Sequence, residues 1–162
     1  MGVASCGKTT IGEAIAMRLS VPFIEGDRLH SAESIAKMSA GIPLTDDDRL
    51  PWLARIGSAM RCNHGIVAAC SALKKSYRLA IAKAAERPVR FVFLSGSREL
   101  LAARIAARKG HFMPPALLDS QLATLEPPDS SEAHVKLNLA LPQSDLVDQA
   151  VAYLTGKTSS HG

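Results

Sequence analysis

The stretch that decides the fold is Gly2 to Thr9, which reads Gly-Val-Ala-Ser-Cys-Gly-Lys-Thr and matches the pattern G-x-x-x-x-G-K-[ST] in full. This pattern predicts a loop whose backbone N–H groups surround phosphate oxygens at the start of a helix. Lys8 supplies a positive charge for the β- and γ-phosphates, and Thr9 supplies a hydroxyl for Mg²⁺. The loop therefore indicates nucleotide binding by Gly2, Val3, Ala4, Ser5, Cys6, Gly7, Lys8, Thr9 and Thr10.

The loop starts only one residue after Met1, which leaves no room for a strand before it. In open parallel sheets such a loop connects a central strand to a helix. Either residues that precede Met1 are missing from this sequence, or the sheet has a gap in its middle. We favour the first explanation, because an unfilled position would leave two neighbouring strands with unpaired edges. We therefore expect the strand before the phosphate loop to be missing from the N-terminus.

Apolar runs typical of strands alternate with helical patterns along the rest of the chain. This alternation predicts an α/β fold with three layers, in which a parallel sheet is flanked by helices. The 162 residues suffice for one domain, which we place at residues 1–155, followed by a flexible C-terminal tail at 156–162. The strand candidates are residues 22–24, 66–70, 89–94 and 135–139, and the helix candidates are residues 8–20, 31–39, 46–63, 74–86, 97–108, 115–124 and 143–155.

Composition excludes several classes of protein. The net charge is +4, but the basic residues form no tract and aromatic residues make up only 4% of the chain, which argues against a nucleic-acid-binding protein. No apolar run reaches the length of a membrane span, and no signal peptide precedes the loop, so we expect a cytoplasmic protein. Cys6, Cys62 and Cys70 show no metal-binding spacing and are expected to be reduced thiols.

Several charged residues stand where ligands bind in such folds. Asp27 follows a strand at its carboxyl end, where it could accept a proton from a hydroxyl or hold a magnesium-bound water. Lys74 and Arg78 lie on one face of a helix start, where cations oppose the helix dipole unless an anion binds nearby. The acidic run 46–48 is typical of helix capping, with Thr45 or the first acid as the N-cap.

Further blocks of sequence carry a resemblance to a known family. They are Gly26–His30, Lys37–Leu44, Asp46–Arg49, Pro51–Leu53, Cys70–Arg78 and Arg108–Met113. Read together with the phosphate loop, they closely resemble the bacterial gluconokinases, which are P-loop sugar-acid kinases related in fold to adenylate and shikimate kinases. The similarity extends from Gly2 to about Pro128. It implies a homodimeric enzyme that uses ATP and Mg²⁺ to phosphorylate D-gluconate on its 6-hydroxyl, giving 6-phospho-D-gluconate.

The resemblance also implies roles for individual residues. Lys8, Asp27 and Arg108 would be catalytic, with Asp27 acting either as the base or as a group that orients the hydroxyl. Arg104 would stack on adenine, and Arg108 would reach the transferring phosphoryl group from a lid at about residues 108–115. The residues implied to contact gluconate are Asp27, His30, Arg49, Lys74, Arg78 and Gln121.

Two alternative functions remain open at the level of the sequence. One is a kinase for another sugar acid or for a shikimate-like acid on the same scaffold. The other is a non-catalytic nucleotide-binding module that has lost its activity.

Overall fold

The computed structural model describes residues 1–63, 65–107 and 115–156 of the chain. Within these residues the helices are α1 (Lys8–Leu19), α2 (Ala32–Ser39), α3 (Asp46–Arg61), α4 (Lys75–Ala85), α5 (Arg98–Ala107), α6 (Pro115–Thr124) and α7 (Gln143–Thr155). The strands are β1 (Phe23–Glu25), β2 (Val67–Ala69), β3 (Phe91–Ser95) and β4 (His134–Asn138). A short 3-10 helix, Gly26–Leu29, follows β1 directly. Every predicted helix and strand is therefore present, whereas the 3-10 helix was not predicted.

The strands form two parallel pairs. β1 pairs with β2 from Phe23↔Val67 to Glu25↔Ala69, and β3 pairs with β4 from Phe91↔His134 to Ser95↔Asn138. The two strands of each pair run in the same direction, so their carboxyl ends lie at one edge of the pair, the kind of edge where ligands bind in open α/β sheets.

Met1 and Gly2 lie between the two pairs. The amino group of Met1 donates to the carbonyl oxygen of Val92 at 2.6 Å, and the N–H of Leu94 donates to the carbonyl oxygen of Met1 at 3.0 Å. On the other side, the N–H of Gly2 donates to the carbonyl oxygen of Ser71, just after β2, at 3.2 Å. The start of the phosphate loop is thus held between β2 and β3.

Two apolar clusters cover the sheet. One includes Ile11 and Ile15 of α1 together with Leu146 of α7 and Leu137 of β4. The other includes Trp52, Leu53 and Ile56 of α3 together with Tyr77 and Ile81 of α4. The amphipathic helices therefore bury their apolar faces on both sides of the strands, which confirms the predicted layered α/β fold. None of the helices in the described part of the chain is both long enough and apolar enough to cross a membrane.

Candidate active site

The phosphate loop joins Gly2 to the first turn of α1. Gly2 has φ 145°, and a Cβ atom there would lie 2.9 Å from the carbonyl oxygen of Leu94, so only glycine fits. Gly7 has φ 89° and precedes α1 without a side-chain cap. The first N–H groups of α1 therefore have no partner within the helix and, with the positive end of its dipole, form a site for an anion.

Lys8 is the first residue of α1, and its side chain turns back across the loop. Its Nζ donates to the carbonyl oxygen of Val3 at 2.9 Å. Cys6 lies beneath the loop and is buried in the first apolar cluster. Burial of Cys6 thus fixes the loop to the core, while the ammonium group of Lys8 lies against the loop, close to where phosphates are expected.

Thr9 has a partner that sequence reasoning missed. Its Oγ1 donates to Oε2 of Glu25, the last residue of β1, at 2.5 Å. The position of Glu25 at the carboxyl end of a strand could have indicated this role, but we assigned the carboxylate at the end of this strand to Asp27, two residues later. A hydroxyl and a carboxylate in contact are hard oxygen ligands of the type that Mg²⁺ prefers, so this pair fits the metal predicted at Thr9.

Asp27 and His30 lie on the 3-10 helix and immediately after it. Asp27 is exposed at the carboxyl end of β1, as predicted. The ring of His30 stacks on Trp52 with centroids 4.2 Å apart and an interplanar angle of 13°. Trp52 Nε1 donates to the carbonyl oxygen of Gly26 at 2.8 Å, which fixes the 3-10 helix against α3.

The environment of His30 favours its neutral form. Burial lowers the pKa of His30 below its ordinary value, whereas the charge of Asp27 opposes this shift and Arg55 and Arg49 reinforce it. Among the described residues, its buried Nδ1 has no hydrogen-bond partner. A neutral ring beside Asp27 can donate or accept a hydrogen bond with a sugar hydroxyl.

Two predicted cations converge on one carboxylate. Lys74 Nζ lies 3.1 Å from Oδ2 of Asp46, and Arg49 Nη1 lies 3.8 Å from Oδ1 of the same residue. Both cations also lie over the ring of Tyr77, at 5.2 and 5.8 Å from its centroid, and the Tyr77 hydroxyl donates to Asp46. We call Arg49, Asp46, Lys74 and Tyr77 the carboxylate cluster.

In the carboxylate cluster the negative charge of Asp46 is paired with the two cations. Hydrogen bonds from Tyr77 and then Lys74 hold the pKa of Asp46 below its ordinary value, and the bond to Asp46 raises the pKa of Lys74. The acidic run therefore does more than the predicted capping, although Thr45 does form a capping box with Asp48. Neither Asp46 nor Tyr77 was predicted, because their partners lie far apart in sequence.

Arg78 does not join this cluster. Only 1% of its side chain is exposed, and its Nε and Nη2 donate to the carboxylate of Glu132 at 2.5 and 2.9 Å. Its Nη1 donates to the carbonyl oxygens of Ala72 and Leu73. The substrate contact predicted for Arg78 does not fit this arrangement, because burial and these bonds hold the guanidinium away from the cleft.

We expect Arg78→Met to lower the free energy of unfolding by about 3–5 kcal/mol, because it leaves Glu132 as an unpaired buried charge. Chemical denaturation monitored by circular dichroism would measure this loss. The double variant Arg78→Met/Glu132→Leu should recover most of it, since apolar replacement of both partners is far less costly. A stable single variant that loses only gluconate binding would contradict this structural role.

Two further predicted residues contact the loop or its surroundings. Arg104 Nη2 donates to the carbonyl oxygen of Leu139 at 2.8 Å, and its Nη1 lies 3.9 Å from where a Cβ atom on Gly7 would be. This position between the loop and the segment after β4 is compatible with the predicted adenine contact. Gln121 Oε1 instead accepts from the N–H of Ala4 at 2.6 Å, so the structure places Gln121 on the loop.

Other predictions lie outside the described residues. They concern Arg108, most of the lid at residues 108–115, and residues 157–162 of the tail.

The chain is also similar in sequence and structure to known proteins. A protein family described as "AAA domain" matches residues 1–128. The chain is 46% identical over 142 residues to a gluconokinase of Gluconobacter oxydans (strain 621H), covering 85% of this chain and 79% of that protein. It is 48% identical over 139 residues to the thermosensitive gluconokinase of Escherichia coli (strain K12), covering 83% and 74% respectively. The solved structure of a gluconokinase from Sinorhizobium meliloti 1021 superposes with a TM-score of 0.89 at 50% identity, covering 96% of this chain and 89% of that one.

Proposed function

The chain belongs to the gluconokinase family, and we propose that three regions of the site each contribute to the transfer of a phosphoryl group from ATP to the 6-hydroxyl of D-gluconate. The function itself follows from the family: the protein is an ATP-dependent kinase that phosphorylates gluconate. One observation supports this proposal best: Arg49 and Lys74 converge on the carboxylate of Asp46, and Arg49 also lies close enough to His30 for its charge to lower the pKa of that ring.

The first region is the phosphate loop, which binds the nucleotide. The N–H groups at the start of α1 and the ammonium group of Lys8 would neutralise the phosphate oxygens, and Arg104 would stack on adenine, a role that its position beside Gly7 supports. Phosphoryl transfer requires mainly positioning and charge neutralisation, which this arrangement supplies. Gln121 supports the loop through its contact with Ala4.

The second region orients the acceptor. Asp27 accepts or orients the proton of the 6-hydroxyl, and the neutral ring of His30 binds a neighbouring hydroxyl. Trp52 holds both by stacking on His30 and by bonding to Gly26. The nucleophilic hydroxyl is thereby directed at the phosphate loop.

The third region is the carboxylate cluster, which recognises the acid group of the substrate. In the structure Asp46 lies between Lys74 and Arg49, so a second carboxylate can share or replace these contacts. Two cations that lie over an aromatic ring favour the binding of a carboxylate between them. A neutral sugar could not form the charge-assisted hydrogen bonds that a sugar acid can form with these two cations.

Phosphorylation assays with a panel of acids test the substrate. The purified protein with ATP and Mg²⁺ should release ADP with gluconate, and phosphorus NMR should show a phosphate ester at the terminal hydroxyl. ADP release with shikimate or another sugar acid but not with gluconate would overturn the assignment. Nucleotide binding without turnover on any acid would instead support the non-catalytic module.

We expect Lys74→Met to raise KM for gluconate about 10- to 100-fold, because it removes a charge-assisted hydrogen bond to the substrate carboxylate. KM for ATP should stay within about twofold, which steady-state kinetics with each substrate varied would show. Lys75→Met is the matched control, since Lys75 faces the other way and binds Asp129 and Ser131. Equal increases in both KM values would contradict a role in gluconate binding.

Mg²⁺ fits at Thr9 and Glu25, where it would neutralise charge on the phosphates of ATP. We expect Glu25→Gln to raise the Mg²⁺ concentration for half-maximal activity about tenfold, because partners around a metal typically contribute 10- to 100-fold in affinity. Titration of activity with Mg²⁺ at fixed ATP measures this. Glu33→Gln, on the exposed first turn of α2, is the control and should leave the titration unchanged. An unchanged titration for Glu25→Gln would remove Glu25 from the metal site.

The family resemblance also supports two further proposals, on the location and the oligomeric state of the protein. We propose that the protein acts in the cytoplasm and that it is a homodimer. Sedimentation equilibrium of the purified protein would show a mass of about twice that of the 17.2 kDa chain. A mass of one chain at micromolar concentration would overturn the dimer.

A further inference from the structure

The start of α4 carries Lys74, but its own sequence stabilises it poorly. Lys74 is the N-cap residue, and the first turn of the helix contains no acidic residue. A lysine side chain only donates hydrogen bonds, so Lys74 cannot accept from the N–H groups that follow it. Lys74 and Lys75 also lie at the positive end of the helix dipole, which is unfavourable for cations. The start of α4 therefore depends on an acceptor from another part of the chain.

Glu126, in the segment that follows α6, supplies this acceptor. Its Oε2 accepts from the N–H of Lys75 at 2.6 Å, across 51 residues of sequence. Its own N–H donates to the carbonyl oxygen of Leu73 at 2.9 Å. The carboxylate also places a negative charge at the positive end of the helix dipole. The two bonds of Glu126 therefore fix the backbone on either side of Lys74.

Glu126 itself has a rigid support. It precedes Pro127 and Pro128, and a residue before proline is restricted to extended backbone. Pro128 is buried. Leu118 of α6 is buried in the first apolar cluster, and Leu125 packs against that cluster. The position of Glu126 is thus set by its attachment to the core.

Lys74 needs this restraint because the loop before it is irregular. Ala72 has φ 43°, a left-handed conformation that residues other than glycine rarely adopt. Arg78 Nη1 donates to the carbonyl oxygen of Ala72 at 3.1 Å, which holds this turn from the helix side. The long side chain of Lys74 has many rotamers, so the place of its Nζ beside Asp46 depends on the backbone from which it projects. Glu126 restrains that backbone directly.

We propose that Glu126 is a positioning residue for gluconate recognition, which fixes the backbone around Lys74 and so directs its ammonium group towards the substrate carboxylate. The inference rests on the role proposed above for Lys74 in the carboxylate cluster. Glu126 acts through Lys74 and not on the substrate, because its carboxylate is bound to the backbone of Lys75. Its loss should therefore weaken gluconate binding and leave the nucleotide site unchanged.

Glu126→Ala tests this role by steady-state kinetics. We expect it to raise KM for gluconate about fivefold and to leave KM for ATP within about twofold, since a helix-capping bond is worth a factor of about this size. Glu126→Gln keeps a side-chain oxygen that can accept from Lys75, so both KM values should stay within about twofold of those of the unchanged protein. Thermal unfolding followed by circular dichroism should show both variants folded at the assay temperature, with midpoints lowered by at most about 5 °C.

Asp129→Ala is the matched control. Asp129 binds the side chain of Lys75 and makes neither of the two backbone bonds that surround Lys74. Its loss removes a carboxylate from the same segment, yet KM for gluconate should stay within about twofold. An increase equal to that of Glu126→Ala would show that loosening of the segment alone produces the effect, and it would overturn the proposal.

A double-variant cycle separates positioning from general destabilisation. In the Lys74→Met protein, the further change Glu126→Ala should alter KM for gluconate by less than about twofold, because the ammonium group that Glu126 positions is gone. A purely structural role would raise KM by the same factor in both backgrounds, which would contradict the proposal.

The same cycle distinguishes this inference from the proposed function. A large increase in KM for Lys74→Met with none for Glu126→Ala would remove only Glu126 from gluconate recognition. An unchanged KM for Lys74→Met would overturn the role of Lys74 itself, and with it the role of Glu126.

Discussion

Lys8→Ala is expected to lower kcat/KM for gluconate phosphorylation by about 10³-fold. The ammonium group of Lys8 lies against the phosphate loop, close to where phosphates are expected. In a site that excludes water, removal of one such donor costs about 3–4 kcal/mol of transition-state stabilisation. The contact that Lys8 makes with Val3 shows that its side chain already lies over the loop.

The fold should survive this substitution. Lys8 is the first residue of α1, where alanine is a good helix former, and its bond to Val3 lies at the partly exposed surface. Circular dichroism and the thermal unfolding midpoint should therefore match those of the unchanged protein within about 2 °C. Lys83→Ala, the same change on the exposed side of α4, is the control and should keep full activity. Activity above a tenth of the original with Lys8→Ala would refute the role of this residue.

The local parts of the structure were predictable from sequence because they depend on neighbours along the chain. The spacing of apolar residues predicted each helix, and the acidic run placed the N-cap of α3 at Thr45 or Asp46, of which the structure shows Thr45. Asp27 was placed correctly at the carboxyl end of a strand. These signals act within one turn or one strand, so no information on distant residues was needed.

The contacts between distant residues could not be predicted. Glu132 neutralises Arg78 across 54 residues, and the hydroxyl of Tyr77 binds Asp46 across 31 residues. A helical face that carries Lys74 and Arg78 therefore looks like one anion site, whereas in the structure Lys74 is partly exposed and Arg78 is buried. Burial decides between such roles, and burial is a property of the whole fold.

The position of the phosphate loop connects its chemistry to the stability of the sheet. The loop begins where Met1 and Gly2 bond to β3 and to Ser71, so any looseness between β2 and β3 is transmitted to the backbone N–H groups that face the phosphates. Positioning dominates phosphoryl transfer, and small misplacements are costly. The bonds that hold Met1 and Gly2 to β3 and Ser71 should therefore support nucleotide binding as well as folding.

Asp27→Asn is expected to lower kcat by about 10²- to 10⁴-fold, because asparagine keeps the shape of the side chain but cannot take a proton from the 6-hydroxyl. The 3-10 helix that carries Asp27 is fixed by the bond between Trp52 and Gly26, so the amide should occupy the same place. KM for gluconate should change by less than about fivefold, since the carboxylate cluster is untouched. Steady-state kinetics with gluconate varied would separate the two effects.

The same experiment distinguishes a base from an orienting group. An orienting role can be filled in part by the asparagine amide, so kcat would then fall by less than about tenfold while KM rises. Asp47→Asn, on the exposed first turn of α3, is the matched control and should leave both constants unchanged. A large loss of kcat at nearly constant KM would favour proton acceptance by Asp27 over an orienting role, because the asparagine amide can orient the hydroxyl but cannot take its proton.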